Sequence, residues 1–298
     1  MSAICFNELK GIGAPCENIT PLTDAKTLVL ARRGFAFTDA EDFATLASWK
    51  TAIADKNLYV LTGIASSENM KVEDGIYTGP FGDETHLWYG KRGKQYKFKL
   101  TKDQHTILFS QYSHKKWDLF ELDRNGNIKG ILNSDGTVSG SKLSYFIVKQ
   151  QDEATEAEPM LTPVKFQKQD TTDWDERGCW LKPTWSVDEI EPITYVKITA
   201  STVATNVFTL TVAYENDYTF DTDGTVKGAA ISGLGVDDLL VIDQTGAENT
   251  LASVVESSTT PGTYTVTGTT LTSGTVKVTP NTSNEDLYES DTATLTAA

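Results

Sequence analysis

The amino-acid sequence predicts a mainly β protein: an antiparallel β-sandwich or barrel with one packed helix, followed by a small all-β domain. Between His86 and Gln150, runs of aromatic and β-branched residues are separated by turn signals, as in an antiparallel meander. Apolar and charged residues alternate within these runs, so one face should be buried and the other exposed. From Ile193 onward the composition changes abruptly, which indicates a second domain. We therefore divide the chain into residues 1–192 and 193–298.

The first part of the chain predicts an arm, a strand and a helix. Residues 1–36 contain short apolar pieces broken by glycine and proline, which is typical of an extended arm, with one strand-like run at 27–31. Thr38 and Glu41 have the spacing of a capping box, and a helix from about 39 to 56 should follow. Its single apolar stripe predicts that it covers one side of the sheet.

After a predicted strand at 58–61, residues 73–83 are rich in glycine and proline. We expect a long ordered loop there. Loops of this length often carry contacts, and a neighbouring subunit is one candidate partner.

The meander contains four predicted strands and two predicted hairpin turns. The turns are Asn125-Gly126 and Asp135-Gly136, dipeptides that accept the positive φ of a tight hairpin. In the first strand, Tyr96, Phe98 and Leu100 should face inward. The predicted strands are 95–100, 107–109, 117–122 and 143–148.

The strand that begins at Trp117 has two faces of different character. Phe120 and Leu122 lie on the more apolar face and should enter the core. Glu121 and Asp123 lie on the other face, so we expect them to be exposed, toward a channel lumen or a seam between subunits.

Three tryptophans lie near the C-terminal end of the first predicted domain. An acidic, apolar-poor stretch at 150–159 predicts an exposed excursion, and a strand returns at 164–167. Trp174, Trp180 and Trp185 then lie within a dozen residues of one another. Such a cluster predicts either a plug of the core or an anchor of an interface.

Beyond Ile193 the chain has no Trp, Cys, Met, His or Arg, and threonine is the commonest residue. Short alternating strands recur with turn signals between them, which predicts a small β-sandwich or barrel. This segment has three lysines and 13 acidic residues, a net charge of −10.

The motifs of familiar enzymes and metal sites are missing from the sequence. A calcium loop starting at Asp123 would need glycine at its sixth position and glutamate at its twelfth, where Ile128 and Ser134 stand. The three histidines lack the spacing of metal ligands, and the three cysteines are too scattered for a zinc site. We therefore predict no cofactor, no metal and no enzymatic activity. The histidines and cysteines are His86, His105, His114, Cys5, Cys16 and Cys179.

Charge and hydropathy restrict the partners. The chain carries 26 basic and 41 acidic residues, a net charge of −15, and such a surface disfavours tight binding of nucleic acid. No apolar run approaches the length of about 18 residues that spans a bilayer, so no membrane partner is expected. The first residues lack the pattern of a secretory signal, which predicts synthesis in a cytoplasm. A cytoplasmic product favours free thiols, with a Cys5–Cys16 disulfide as the alternative.

One helix against a β-meander of about 190 residues, with arms and long loops and a Thr-rich β module after it, resembles the tail tube proteins of long-tailed bacteriophages. Some of these carry an immunoglobulin-like C-terminal domain on the outside of the tube. The resemblance implies a virion structural protein, made in the host cytoplasm, in which residues 1–192 form the assembly domain. Its partners would be copies of itself in rings, for example hexamers, other virion proteins, and DNA only as passing cargo.

Other functions fit the same sequence features. A capsid decoration protein or a head–tail connector would share the arms and loops. A glycan-binding adhesive module would use an exposed Trp174, Trp180 or Trp185 to stack on sugars. A β-architecture glycoside hydrolase would need two buried carboxylates, whose geometry depends on the fold and not on sequence spacing.

Overall fold

The structure is a computed structural model that describes residues 22–70, 73–154, 159–214, 229–284 and 286–298, and the backbone of residues 5–6, 219–220 and 226–227. The chain forms two compact units, Met1–Pro192 and Ile193–Ala298. Strands make up 46% and helices 14% of the structure, and nearly all strand pairs are antiparallel, which confirms the predicted fold class.

The N-terminal unit is built mainly of strands, with short helices at its surface. Its strands are β1 (Cys5–Phe6), β2 (Ala25–Arg32), β3 (Ala36–Phe37), β4 (Leu58–Leu61), β5 (Ile64–Met70), β6 (Gly75–Thr78), β7 (Glu84–Trp88), β8 (Gly93–Phe98), β9 (Trp117–Asp123), β10 (Ile128–Leu132), β11 (Val138–Ser139), β12 (Ser141–Val148), β13 (Thr162–Lys168) and β14 (Gly178–Leu181). Its helices are α1 (Ala40–Ala44), α2 (Leu46–Ala54), α3 (Lys102–Ile107) and α4 (Asp173–Arg177), with a π-helical segment at Leu108–Tyr112 and a 3₁₀ turn at Val187–Glu189.

The sheet of this unit divides at β9. One edge of β9 pairs with β2 over its whole length. The other edge pairs first with β12 and then with β10. Because β12 leaves β9 to pair with β13, the sheet continues through β13 and β8 to β5 as a second layer.

Both faces of β9 are therefore covered. Phe120 packs on the helix side, with its ring centroid 5.3 Å from that of Trp49 and 5.9 Å from that of Phe43. Trp117 and Leu119 point the other way, into a core that they share with residues of the second layer. Such burial of large side chains on both faces is the main source of stability for a sheet of this kind. The second-layer residues are Tyr96, Phe98, Phe146, Val164 and Phe166.

The predicted helix 39–56 exists as two helices. Thr45 has extended backbone angles, φ −98° and ψ 121°, which separate α1 from α2. The first helix is capped by Asp39, whose side chain accepts hydrogen bonds from the N–H groups of Glu41 and Asp42, and not by Thr38 as predicted. The buried side chains of these helices are Phe43, Trp49, Ala52 and Ile53, so the helices cover one side of the sheet as expected, while Ala47 of the predicted stripe is exposed.

Two other local predictions were wrong. Residues 107–109 do not form a strand: they end α3 and begin the π-helical segment. A capping box between Thr101 and Gln104 starts α3. Residues 73–83 are not an irregular loop: β6 and β7 form a hairpin that continues to Trp88. The strand predicted at 27–31 was correct: it is part of β2, which lies buried between β4 and β9. Most of the arm predicted for residues 1–36 lies outside the described residues.

The two predicted hairpin turns are present, with a different geometry. In each turn only the glycine has positive φ, Gly126 at 82° and Gly136 at 88°. Asp123 and Asn127 close the first turn, with an N–H···O distance of 2.9 Å. The turns are therefore one residue longer than a two-residue hairpin loop.

The C-terminal unit is a β-sandwich. It contains β15 (Thr194–Ala200), β16 (Val207–Tyr214), β17 (Thr219–Phe220), β18 (Val226–Lys227), β19 (Leu239–Asp243), β20 (Leu251–Glu256), β21 (Thr263–Gly268), β22 (Gly274–Val278), β23 (Tyr288–Ser290), β24 (Ala293–Leu295) and a 3₁₀ turn at Val236–Asp238. One sheet has the order β20-β21-β16-β15-β23 and another the order β19-β22-β24, while β17 pairs with β18. Phe208, Leu210, Tyr264, Val241 and Val276 meet in the core, so alternate residues of both sheets point inward.

Candidate interaction surface

Glu121 and Asp123 are buried, with exposures of 5% and 0%, so the exposed position predicted for them is wrong. The assignment of strand faces was correct, because both residues share the face of Trp117 and Leu119. That face is covered by the second layer of the sheet, which the sequence pattern of one strand does not reveal.

Glu121 is held in a network of lysines. Its carboxylate lies 3.1 Å from Nζ of Lys168 and 3.6 Å from Nζ of Lys94. Burial alone would raise the pKa of Glu121, but the positive charges of Lys168, Lys94 and Lys129 outweigh it and lower the pKa to about 2. The carboxylate is therefore ionised inside the fold, and its charge is compensated there.

Asp123 has a structural role in the turn that follows β9. Its Oδ1 accepts hydrogen bonds from the N–H groups of Asn125 and Asn127, both at 2.9 Å. Its Oδ2 accepts one from Nδ2 of Asn127 at 2.9 Å and one from the N–H of Thr23 at 3.0 Å. This carboxylate fixes the turn and the start of the β2 region.

The three clustered tryptophans are each half-buried. Trp174 lies in α4, with Nζ of Lys168 5.5 Å from its ring centroid. Trp180 lies in β14. Trp185 donates a hydrogen bond from Nε1 to the carbonyl oxygen of Ala44 at 2.8 Å, which attaches this segment to α1. Part of each indole thus packs within the unit.

The histidines lie apart from one another. His105 is buried, with Nδ1 3.2 Å from Oγ1 of Thr162, and its pKa is lowered by burial and by the charge of Lys102. His86 lies beside Asp74, at 4.0 Å. Within the described ranges no three His, Cys, Asp or Glu side chains are grouped so as to hold a metal ion. The thiol of Cys179 is buried, which raises its pKa to about 12.

The most unusual surface is the hairpin formed by β6 and β7, residues 75–89, which we name the apolar hairpin. Its strands pair only with each other among the described strands. At its tip, the N–H of Gly79 donates to the carbonyl oxygen of Asp83 at 2.7 Å. The base is tightened by the indole of Trp88, which lies over Gly75 so closely that a Cβ there would be 2.3 Å from the ring.

The apolar hairpin exposes six large apolar side chains, each between 55% and 92% accessible. An isolated two-stranded hairpin is marginally stable in water, and contiguous apolar patches on soluble proteins usually mark contact sites. Phe81, at the tip, is the most exposed of the six at 92%. The other five are Ile76, Tyr77, Leu87, Trp88 and Tyr89.

The sequence contained a signal for this surface. Strands with one buried face alternate apolar and polar residues, whereas Ile76-Tyr77 and Leu87-Trp88-Tyr89 place apolar side chains at adjacent positions, and hence on both faces of the hairpin. A turn of Gly79, Pro80 and Phe81 lies between these runs. That pattern is typical of a hairpin whose two faces are covered by something outside its own sheet.

A cavity of about 910 Å³ adjoins the base of the apolar hairpin. Trp88 and Tyr89 form one side, and polar side chains including Gln167, Gln169 and Arg177 form the other. The cavity therefore combines exposed aromatic rings with amide and charged groups.

None of the described helices is long and apolar enough to cross a bilayer. In comparisons with known proteins, no family model and no curated sequence matched the chain.

Proposed function

We propose that this chain is a non-enzymatic structural protein of a bacteriophage particle, which assembles with copies of itself into rings or a tube in the manner of a tail tube protein. In this proposal the N-terminal unit forms the assembly and the acidic C-terminal unit is displayed outside it. The observation that carries the proposal is the apolar hairpin, whose exposed side chains require a partner.

The size of the exposed surface suits a permanent contact. Burying one large apolar side chain contributes about 1.5–3 kcal/mol, so six such side chains would contribute on the order of 10 kcal/mol. Association costs roughly 4–15 kcal/mol in lost translational and rotational freedom. Burial of the hairpin can therefore offset much of that cost, and repeated contacts around a closed ring would add to it.

The test is the size and shape of the purified full-length chain. We expect rings or tubes by light scattering and negative-stain microscopy. The double variant Phe81→Ser, Trp88→Ser should be monomeric and should melt at the temperature of the dilute, dissociated wild-type chain, because both side chains are exposed. The matched control is Val255→Ser, which changes a similarly exposed apolar residue of the C-terminal unit and should assemble normally. A wild-type chain that stays monomeric at high concentration would refute the proposal.

Glycan binding is a second candidate function, favoured by the cavity beside Trp88 and Tyr89. Aromatic rings that stack on sugars, together with amide and charged hydrogen-bonding groups, are what such a site requires. A monomer retained on a polysaccharide column would favour this function. Particles in the form of capsid knobs or single connector rings would instead favour a decoration or head–tail connector protein.

A further inference from the structure

A second surface of the N-terminal unit has an unbalanced positive charge. A groove of about 480 Å³, which we name the lysine groove, is lined by Lys97, Phe109, Lys149, Asp152 and Pro163 among others. Lys97 is paired with Asp152 at 3.2 Å. Within the described residues, no ion pair is formed by Lys149 or by its neighbour Lys165.

These two lysines are diagonal neighbours across β12 and β13: Lys165 is opposite Ile147, and the N–H of Lys149 donates to the carbonyl oxygen of Pro163 at 2.8 Å. The contact between the two amines, followed by their charge repulsion, lowers the pKa of Lys149, and the opposing charge of Asp152 offsets this only in part. Two adjacent ammonium groups in a chain of net charge −15 are unfavourable unless an anion lies nearby. A carboxylate brought to this position would be attracted by both.

The lysine groove also has an apolar wall. Phe109, in the π-helical segment, lines the groove and is 47% exposed. An exposed aromatic ring in a groove that lysine side chains also line offers a contact for another apolar side chain. The partner that fits the groove therefore has an apolar or aromatic tip next to carboxylates.

The apolar hairpin has this chemistry. Phe81 forms its tip, and Asp83 and Glu84 follow immediately, all of them exposed. The base of the hairpin adjoins the Gly93 end of β8, whereas the groove adjoins Lys97 near its other end. Lys97 is four residues from Gly93 along the strand, a separation of about 13 Å. The two surfaces are thus different parts of the unit.

We propose that the lysine groove of one copy receives the apolar hairpin of a second copy, with Phe81 against Phe109 and with Asp83 and Glu84 beside Lys149 and Lys165. This inference rests on the proposed self-assembly and specifies its contact. Because the two surfaces differ, the contact can repeat head-to-tail, and repeated head-to-tail contacts produce closed rings or open filaments.

Isotope-mixed cross-linking of the full-length chain tests the proposal. Equal amounts of ¹⁴N-labelled and ¹⁵N-labelled protein are mixed and treated with a carbodiimide, which joins a carboxylate directly to a lysine amine. We expect mixed-isotope peptide pairs that join the segment containing Asp83 and Glu84 to Lys149 or Lys165. Same-isotope pairs alone, including pairs to the chain's own acidic stretch 152–158, would overturn the proposal, as would the absence of any cross-link between these groups.

A matched pair of variants adds a second measurement. Lys149→Met with Lys165→Met should raise the concentration needed for assembly about tenfold, because two exposed charge pairs with the hairpin carboxylates are lost. Lys116→Met, another exposed lysine, should leave it unchanged. If rings form without the mixed-isotope pairs, the groove is not the docking site, but the proposed function stands. If the pairs form without rings or tubes, the docking stands and the tube proposal fails.

Discussion

Glu121 shows how one buried carboxylate can be stabilised by its neighbours. It pairs with Lys168 at 3.1 Å and with Lys94 at 3.6 Å, and Lys94 also contacts Asp24 at 3.1 Å. The pKa of Lys94 is raised: burial opposes the charged form, but the negative charges of Glu121 and Asp24 outweigh it. Removing one partner of such a network leaves an uncompensated charge inside the protein, which is strongly destabilising.

The pH dependence of stability follows from the lowered pKa of Glu121. Its pKa falls from an ordinary 4.5 to about 2, so its contribution is fully present above about pH 4.5 and is lost as the pH falls toward 2. We expect Glu121→Gln to lower the free energy of unfolding by about 3 kcal/mol at pH 7 and by little near pH 2. Urea unfolding at several pH values measures this.

The control for this prediction is Glu68→Gln, which changes an exposed glutamate of β5 and should alter stability by less than about 0.5 kcal/mol. A loss in Glu121→Gln that is the same at pH 7 and near pH 2 would show that the charge of Glu121 does not stabilise the fold.

For Glu121 and Asp123, the sequence revealed which face of β9 they share but not that this face is buried. Alternation along β9 correctly grouped Glu121 with Trp117 and Leu119. The residues that cover this face come from β8 and β13, which are separated from β9 in the chain and reach it only through the division of the sheet. A single-strand pattern contains no information about such a distant layer.

Among the elements, helices were predicted less well than strands. The capping box of Thr101 and Gln104 was a signal for α3 in the sequence, but the apolar run 107–109 was interpreted as a strand. Short apolar runs do not distinguish a strand from a buried helix turn. The break between α1 and α2 depends on Thr45, whose Oγ1 donates to the carbonyl oxygen of Glu41 at 2.8 Å.

In the apolar hairpin, the close packing of Trp88 over Gly75 can be tested by substitution. A methyl group at Gly75 would overlap the indole of Trp88, so Gly75→Ala should displace that ring. Because the hairpin lies outside the core, we expect the melting temperature to change by less than about 2 °C. The concentration needed for assembly should rise about tenfold, as measured by light scattering.

Thr78→Ala, an exposed change on the same strand, is the control and should assemble like the wild type. Normal assembly by Gly75→Ala would mean that the position of Trp88 is unimportant, and a large fall in its melting temperature would mean that the hairpin supports the core.

For the whole molecule, the division between the two compact units falls between Pro192 and Ile193, where the composition changes. The predicted mainly β class was correct because alternation and turn residues are local signals that survive in any arrangement of the sheets. Residues 73–83 were predicted to carry contacts, but the exposed apolar side chains of the hairpin were not predicted, since exposure depends on which side chains the rest of the fold leaves uncovered.

The central claim is that the apolar hairpin is buried when copies of the chain assemble. Hydrogen–deuterium exchange of the full-length chain, measured in the dilute monomer and in the assembly, tests it most directly. We predict that amides of residues 75–89 exchange at least tenfold more slowly in the assembly, while those of β19 in the C-terminal unit are unchanged. Equal exchange of residues 75–89 in the two states, or a chain that never assembles, would contradict the claim.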